Sequence, residues 1–312
     1  MHATRSTKAR THYKALYFFQ ILIQSHIIMR FKHIYVLCIT ILMMNGLNSC
    51  QKSNNYSGTT TTPPSISFQV KTDSHFGSVI TDNKGNTLYN FSLDANGSSA
   101  CTGNCLTTWP VVYIASPTFG TGLAASDFST ITRSDGAKQT TYKGWPLYRF
   151  AGDAAVGDIL GDGIDGIWFV AKPDYTVMMA KTQLVGADGI SYDSTYAAKA
   201  GQTIYMTDDH GVTLYSFAHD KAGSNNFTAS DFSNDGTFPI VQLSGVQSVP
   251  SVLNKSDFGS ITVFTKPQLT YKGWPIYRFG GDSMQRGSTK GVSFGAPGIW
   301  PVMDQFRLPA PL

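Results

Sequence analysis

The sequence predicts an all-β protein made of two tandem homologous β domains, each built from two hairpin repeats. Three observations carry this reading. All 20 acidic residues are Asp and none is Glu, which disfavours helix interiors and favours turns and caps. Thirty glycines and 12% aromatic residues suit short strands joined by tight turns. One pattern, an apolar residue, Tyr, any residue, Phe, two further residues and Asp, occurs four times. Four repeats of about 60 residues would also suit a single four-bladed propeller-like ring, which is the alternative fold.

The N-terminal region reads as an export signal rather than as part of the fold. Residues 1–28 are expected to precede the true start at Met29. Residues 29–49 carry Arg30 and Lys32, then an apolar stretch from Ile34 to Met44. That stretch is too short to span a bilayer and suits a signal peptide. It ends in Leu47-Asn48-Ser49-Cys50, which resembles a bacterial lipobox and makes Cys50 the expected lipidation site and first mature residue. Residues 50–65 then form a polar Ser/Thr-rich tether closing in two prolines, a composition that packs no core. The expected location is the bacterial cell envelope, outside the cytoplasm, on the outer membrane or cell surface, with the lipid holding the protein to the membrane.

Removing this segment changes the charge balance. The whole chain has a formal charge of +4, but six basic residues (Arg5, Lys8, Arg10, Lys14, Arg30 and Lys32) and no acid lie in the first 50. What remains holds 18 basic and 20 acidic residues. A nearly neutral mature protein has no basic footprint for nucleic acid.

The repeats run as follows: Leu88-Tyr89-Asn90-Phe91-Ser92-Leu93-Asp94, Leu147-Tyr148-Arg149-Phe150-Ala151-Gly152-Asp153, Leu214-Tyr215-Ser216-Phe217-Ala218-His219-Asp220 and Ile276-Tyr277-Arg278-Phe279-Gly280-Gly281-Asp282. On a strand the apolar residue and Tyr face opposite sides, while Tyr and Phe share one. The second and fourth copies sit in segments 141–150 and 270–279 that agree at nine of ten positions. The first and third also match each other, so the order is A-B-A′-B′. This divides the mature chain into unit one, residues 66–173, and unit two, residues 174–312. The strand preceding each A repeat also corresponds, Phe68–Thr72 with Met178–Thr182, and unit two carries an insertion near Gln183–Gly201. Turns are expected at Asp82–Gly85, Asp208–Gly211, Arg133–Gly136 and Lys266-Pro267, where Asp, Asn, Gly and Pro separate apolar runs. Trp-Pro recurs at 109, 145, 274 and 300, and the residue before proline is driven to extended backbone.

Within the mature region the only cysteines are Cys50 and the pair Cys101 and Cys105. In an exported protein a close pair is most simply a disulfide, with a redox role as the alternative. Zinc would need ligands that are not nearby in sequence. At these residues the chain resembles the secreted-repeat lipoprotein family of bacteria. That family carries tandem Tyr-x4-Asp motifs behind a lipoprotein signal, and its repeats include a Cys-x-Gly-x-Cys run followed by Trp-Pro, seen here as Cys101–Cys105 and Trp109-Pro110. The resemblance spans roughly residues 75 to 303. It implies an exported, lipid-anchored repeat protein, while the family's biochemical role is not established. Unit two departs from the pattern, having no cysteine and Phe238 in place of the Trp.

No Gly-x-Ser-x-Gly, His-Glu-x-x-His, phosphate loop or Cys-x-x-Cys-His occurs, and the mature region holds three histidines, His75, His210 and His219. The chain is therefore read as a non-enzyme with a binding or scaffolding role toward an envelope protein or a glycan, and with no resident cofactor. The alternative is a calcium or small-ligand module. Asp94, Asn96, Asp162 and Asp165 are its candidate ligands, because alternating oxygens on a loop are how calcium is held. Against this, an Asp repeated after each strand also serves simply to cap a turn. The Trp-Pro pairs are either core or an aromatic platform for a ring-bearing ligand.

Overall fold

Short β-rich segments between Asp-anchored turns give thirteen strands and very little helix among the described residues. The computed structural model describes residues 67–312. The signal, Cys50 and tether expectations lie outside the described residues. In unit one β1 (Phe68–Asp73) and β2 (Gly77–Asp82) form a hairpin, and β3 (Tyr89–Phe91) follows. The one-turn helix α1 is Cys105–Thr108. Then come β4 (Phe128–Thr132), β5 (Lys138–Tyr142), β6 (Trp145–Pro146) and β7 (Trp168–Val170). In unit two β8 (Val177–Val185), β9 (Ser191–Tyr192) and β10 (Gln202–Asp208) precede β11 (Phe258–Val263), β12 (Lys266–Tyr271) and β13 (Trp274–Pro275). The strands make five sheets of two or three strands. No helix among the described residues is long and apolar enough to cross a membrane.

The turn chemistry follows the sequence. Asp82 Oδ1 accepts the amides of Lys84 and Asn86 at 2.9 and 3.0 Å. Asp208 Oδ1 does the same for His210 and Val212 at 3.1 and 2.9 Å. Each is an Asp side chain closing a turn over its own backbone. Two local expectations need correcting. The unit-two turn falls at Phe264–Thr265, so Lys266 and Pro267 open β12 instead. The strand pairing also shifts the correspondence before the A repeats by one residue. Phe68 pairs with Asp82 and Val177 with Asp208, so Phe68 corresponds to Val177 rather than Met178. Matching Lys-Thr in both segments aligned the sequences, whereas the partner strand sets the register.

The repeats associate in pairs. Tyr89 and Tyr148 exchange both backbone hydrogen bonds, at 2.9 and 3.0 Å, as do Tyr215 and Tyr277, both at 2.9 Å. Each A strand thus lies antiparallel to its own B strand about a local two-fold. Side-chain alternation then builds two cores per unit. Leu88 and Leu147 enter one with Phe68, Ile80, Val112 and Tyr142, while Tyr89, Phe91 and Tyr148 enter the other with Trp109 and Trp168. Unit two repeats this, with Leu214 and Ile276 on one side and Tyr215, Tyr277 and Phe279 on the other. The insertion adds β9 to the edge of β8, and Thr289 Oγ1 accepts the Val185 amide at 2.8 Å.

Candidate functional site

The residues that define the repeat meet across it. Tyr89 Oη donates to Asp153 Oδ2 at 2.7 Å, and Tyr148 Oη donates to Asp94 Oδ2 at 2.6 Å. In unit two Tyr215 donates to Asp282 and Tyr277 to Asp220, both at 2.7 Å. In all four cases the Tyr of one motif binds the Asp of its sister motif. The four Asp do not converge on one site. They form two reciprocal pairs, one in each unit.

The second oxygen of each carboxyl caps the loop that follows it. Asp94 Oδ1 accepts the Ala100 amide and Asp220 Oδ1 the Asn226 amide, both at 2.7 Å. Asp153 Oδ1 accepts Leu160 N–H at 2.9 Å. Asp282 Oδ1 takes Ser288 Oγ at 2.7 Å and Lys290 N–H at 2.9 Å. The turn-capping expectation therefore accounts for half of each carboxyl. The other half, the link between repeats, was not foreseen. Its sequence signal was the fixed Tyr-to-Asp spacing, which a cap alone does not require.

Burial dominates the electrostatics here. Desolvation raises Asp94 to about 7 and Asp220 to about 6, despite the opposing tyrosine and amide hydrogen bonds. Asp153 and Asp282 are raised for the same reason. Burial, with the neighbouring carboxylate, pushes all four tyrosines far above their usual range. A phenol held this way remains a hydrogen-bond donor and is a poor proton source. Glycine is required beside the pair. A Cβ on Gly161 would lie 2.8 Å from the Tyr89 ring, and one on Gly291 would lie 2.8 Å from that of Tyr215.

Beneath each pair runs a stack of four rings. In unit one Phe91, Trp168 and Trp109 stack at 3.9 and 3.8 Å, with Phe150 beyond at 4.6 Å. In unit two the order is Phe217, Trp300, Phe238 and Phe279, at 4.5, 3.4 and 4.7 Å. Trp109, Trp145, Trp274 and Trp300 are all buried, so the Trp-Pro pairs belong to the core and not to an exposed platform.

Cys101 and Cys105 form a disulfide packed against this stack. Buried Arg133 secures the same corner, donating to Cys101 O at 2.8 Å, to Gln139 Oε1 at 3.0 Å and to Ser99 Oγ. Unit two replaces the whole group. Phe227 stands near the place of Cys101 and packs edge-on against Phe238, Tyr277 and Trp300. Val263 occupies the position of Arg133, and Asn225 donates to Gln268 at 2.7 Å as Arg133 does to Gln139. An aromatic ring and an amide thus do the packing and hydrogen bonding that a disulfide and a guanidinium do in unit one. Arg133 opens the turn expected at Arg133–Gly136, but its burial has no signal in the sequence, because an Arg beside Ser-Asp-Gly carries none by itself.

The candidate metal ligands are spread over separate roles. Asp94 is fully engaged, Asn96 Oδ1 accepts the Ser98 amide at 2.9 Å, and Asp162 Oδ1 accepts the Val170 amide at 2.8 Å. Asp165 is exposed in a left-handed turn. No group of three or more His, Cys or Asp side chains is arranged to hold a metal among the described residues. His75, His210 and His219 are exposed. An open cleft of about 320 Å³ lies where the units meet, over Leu214 and Val241 and beside Asp174. Val177 lines it where unit one has Phe68, stacked on Phe128 at 5.0 Å. Its cations are already matched, Lys143 with Asp209 at 2.7 Å and Arg278 with Asp208 at 3.0 Å.

Residues 71–113 and 129–172 match a family described as a secreted repeat of unknown function. These two segments are similar to the repeats of that family. Both matched segments lie in unit one, each containing one complete Tyr-x4-Asp motif. Unit two preserves the same Tyr–Asp exchange and the same ring stack. No curated protein and no solved structure gives a match. Secreted repeats point to an extracytoplasmic location, as does the disulfide.

Proposed function

We propose that this protein is a lipid-anchored envelope component whose repeats act as a non-catalytic scaffold or binding module. One observation carries the reading: the side chains that define the repeat are consumed in holding repeats together. Each Tyr is spent on the sister Asp, and each Asp has both oxygens occupied. A catalytic acid or nucleophile needs access to a substrate, and Asp94, Asp220 and Asp282 are buried. The proposed setting is the outer membrane or cell surface, held there by a lipid on Cys50 through the 50–65 tether. The proposed partner is an envelope protein or glycan.

The test uses the full chain in its own cells. Metabolic labelling with an alkyne fatty acid should mark the wild type and not Cys50→Ser, and the variant should be released from the membrane fraction. Crosslinking of the anchored protein should recover a stable envelope partner. Turnover of any envelope substrate that disappears in folded Asp94→Asn or Asp220→Asn would sink the scaffold reading.

A further inference from the structure

The Tyr-Lys-Gly-Trp-Pro segment is identical in the two units, at 142–146 and 271–275, yet it takes no part in the Tyr–Asp exchange. In unit one it holds the last residue of its own unit and, through Trp145 and Lys143 O, reaches the next unit. Tyr142 Oη and Lys143 Nζ both donate to Pro173 O, at 3.4 and 3.2 Å. Trp145 Nε1 donates to Asp209 O at 3.1 Å. The Arg286 guanidinium lies 4.7 Å from the Trp145 ring centre, and its Nη1 donates to Lys143 O at 2.8 Å. A Cβ on Gly144 would meet that guanidinium at 2.7 Å.

In unit two the copy of the segment makes the corresponding contacts with residues 305–310 of the same chain. Tyr271 Oη and Lys272 Nζ donate to Gln305 O at 3.5 and 3.0 Å. Trp274 Nε1 donates to Leu308 O at 2.8 Å. The Arg307 guanidinium lies 4.2 Å from the Trp274 ring centre. Lys272 O accepts the Ala310 amide at 2.9 Å, as Lys143 O accepts Arg286. Ala310 lies against Gly273 as Arg286 lies against Gly144.

Phe306 is 72% exposed and Leu308 80% exposed, so the segment is held by its main chain, Arg307 and the small buried side chain of Ala310. A surface segment attached by so few side chains opens at low cost.

We infer that residues 304–311 are a strap acting as an intramolecular ligand: they fill, on unit two, the docking face with which unit one holds its neighbour. Once vacated, that face takes a polypeptide segment offering one arginine to Trp274 and two main-chain carbonyls to Lys272 and Trp274. The inference extends the scaffold reading without depending on it, since it concerns an interface and not the fate of any substrate.

The experiment compares the full chain with a version ending at Asp304, using a fluorescein-labelled peptide of residues 304–312 as the probe. The shortened chain should bind the peptide saturably, and the full chain at least tenfold more weakly, because its own strap competes. Arg307→Ala in the peptide should weaken binding about fivefold, the equivalent of roughly 1 kcal/mol for a cation–π contact. No binding by a folded shortened chain, or equal binding by both chains, overturns the inference. Self-association of the shortened chain that the peptide does not reverse also overturns it. If the shortened chain does not fold, Arg307→Ala in the full chain replaces it, read by hydrogen exchange. Faster exchange confined to the Ala310 and Ala222 amides supports a detachable strap. Faster exchange extending to the Tyr215 and Tyr277 amides refutes it.

Discussion

Tyr148→Phe deletes one oxygen and leaves Asp94 Oδ2 buried with its 2.6 Å donor gone. Ser99 Oγ, 2.7 Å from the same hydroxyl, loses that partner too. A hydrogen bond to a charged group is worth roughly 1.5–3 kcal/mol, so the variant should lose about 2 kcal/mol at pH 8, where Asp94 is ionised. For a domain of this size that lowers Tm by about 4–8 °C. The more discriminating quantity is coupling. A double-mutant cycle of Tyr148→Phe with Asp94→Asn should give an interaction energy of about 1–2 kcal/mol, although 54 residues separate the two in sequence. The same cycle with Asp153→Asn, five positions away and within the same motif, should be additive within about 0.5 kcal/mol. Urea melts of the four proteins in each cycle supply both numbers. If Tyr148 couples to Asp153 and not to Asp94, the motif is a local cap and the exchange between repeats is wrong.

Four further outcomes follow from the same contacts. Asp94 and Asp220 titrate near 7 and 6 in the folded protein against about 3.9 when unfolded. The folded state therefore prefers their protonated forms, and their contribution is greatest below about pH 4 and lost as pH rises through 6 to 7. Asp82 and Asp209 are lowered, and their contribution is lost only on acidification below about pH 4, so Tm should be higher at pH 5 than at pH 8 and a flat profile would count against buried carboxyls. Gly144→Ala should cost about 2 kcal/mol by combining left-handed strain with displacement of Arg286, whereas Gly136→Ala, where a Cβ meets nothing within 4 Å, should cost about half that in a thermal melt. Replacing Cys101 and Cys105 by Ser should cost no more than about 2 kcal/mol, because the loop closed is so short, and chemical denaturation checks this. Millimolar calcium and then chelator should leave Tm unchanged, since the Asp94 oxygens are already filled; a calcium-dependent rise would revive the loop-ligand reading.

What was legible in the sequence was whatever obeys a short-range rule. Alternation along Leu88, Tyr89 and Phe91 placed Leu on one core and the rings on the other, as found. Asp82 and Asp208 announced their turns through their spacing to glycine. Arg133, Gln139 and Arg286 were not legible, because each is defined by a partner far away: Cys101 O, Leu147 O and Trp145. Periodicity says which face a residue takes, and it says nothing about which distant backbone carbonyl that face will meet. The Tyr–Asp exchange falls between these cases. Its members were visible as a motif, but only strand pairing shows that each Tyr skips its own Asp and reaches its sister's.

That crossing also explains why the repeats come in twos. A lone repeat would carry a Tyr with no acceptor and an Asp with one oxygen unpaired. Both would be drawn into an aromatic core, where an unsatisfied polar group costs roughly 1–3 kcal/mol. Two repeats about a local two-fold satisfy both at once, so the pair is the smallest self-consistent unit. Within it the corner beside Cys101 is free to change, since Phe227 and Asn225 restore the same packing and the same amide contact. The Tyr-Lys-Gly-Trp-Pro face belongs to a different level of organisation. It joins pair to pair through Trp145 and Arg286, and in unit two the same face receives Arg307 at Trp274. One motif therefore builds the unit and another joins one unit to the next.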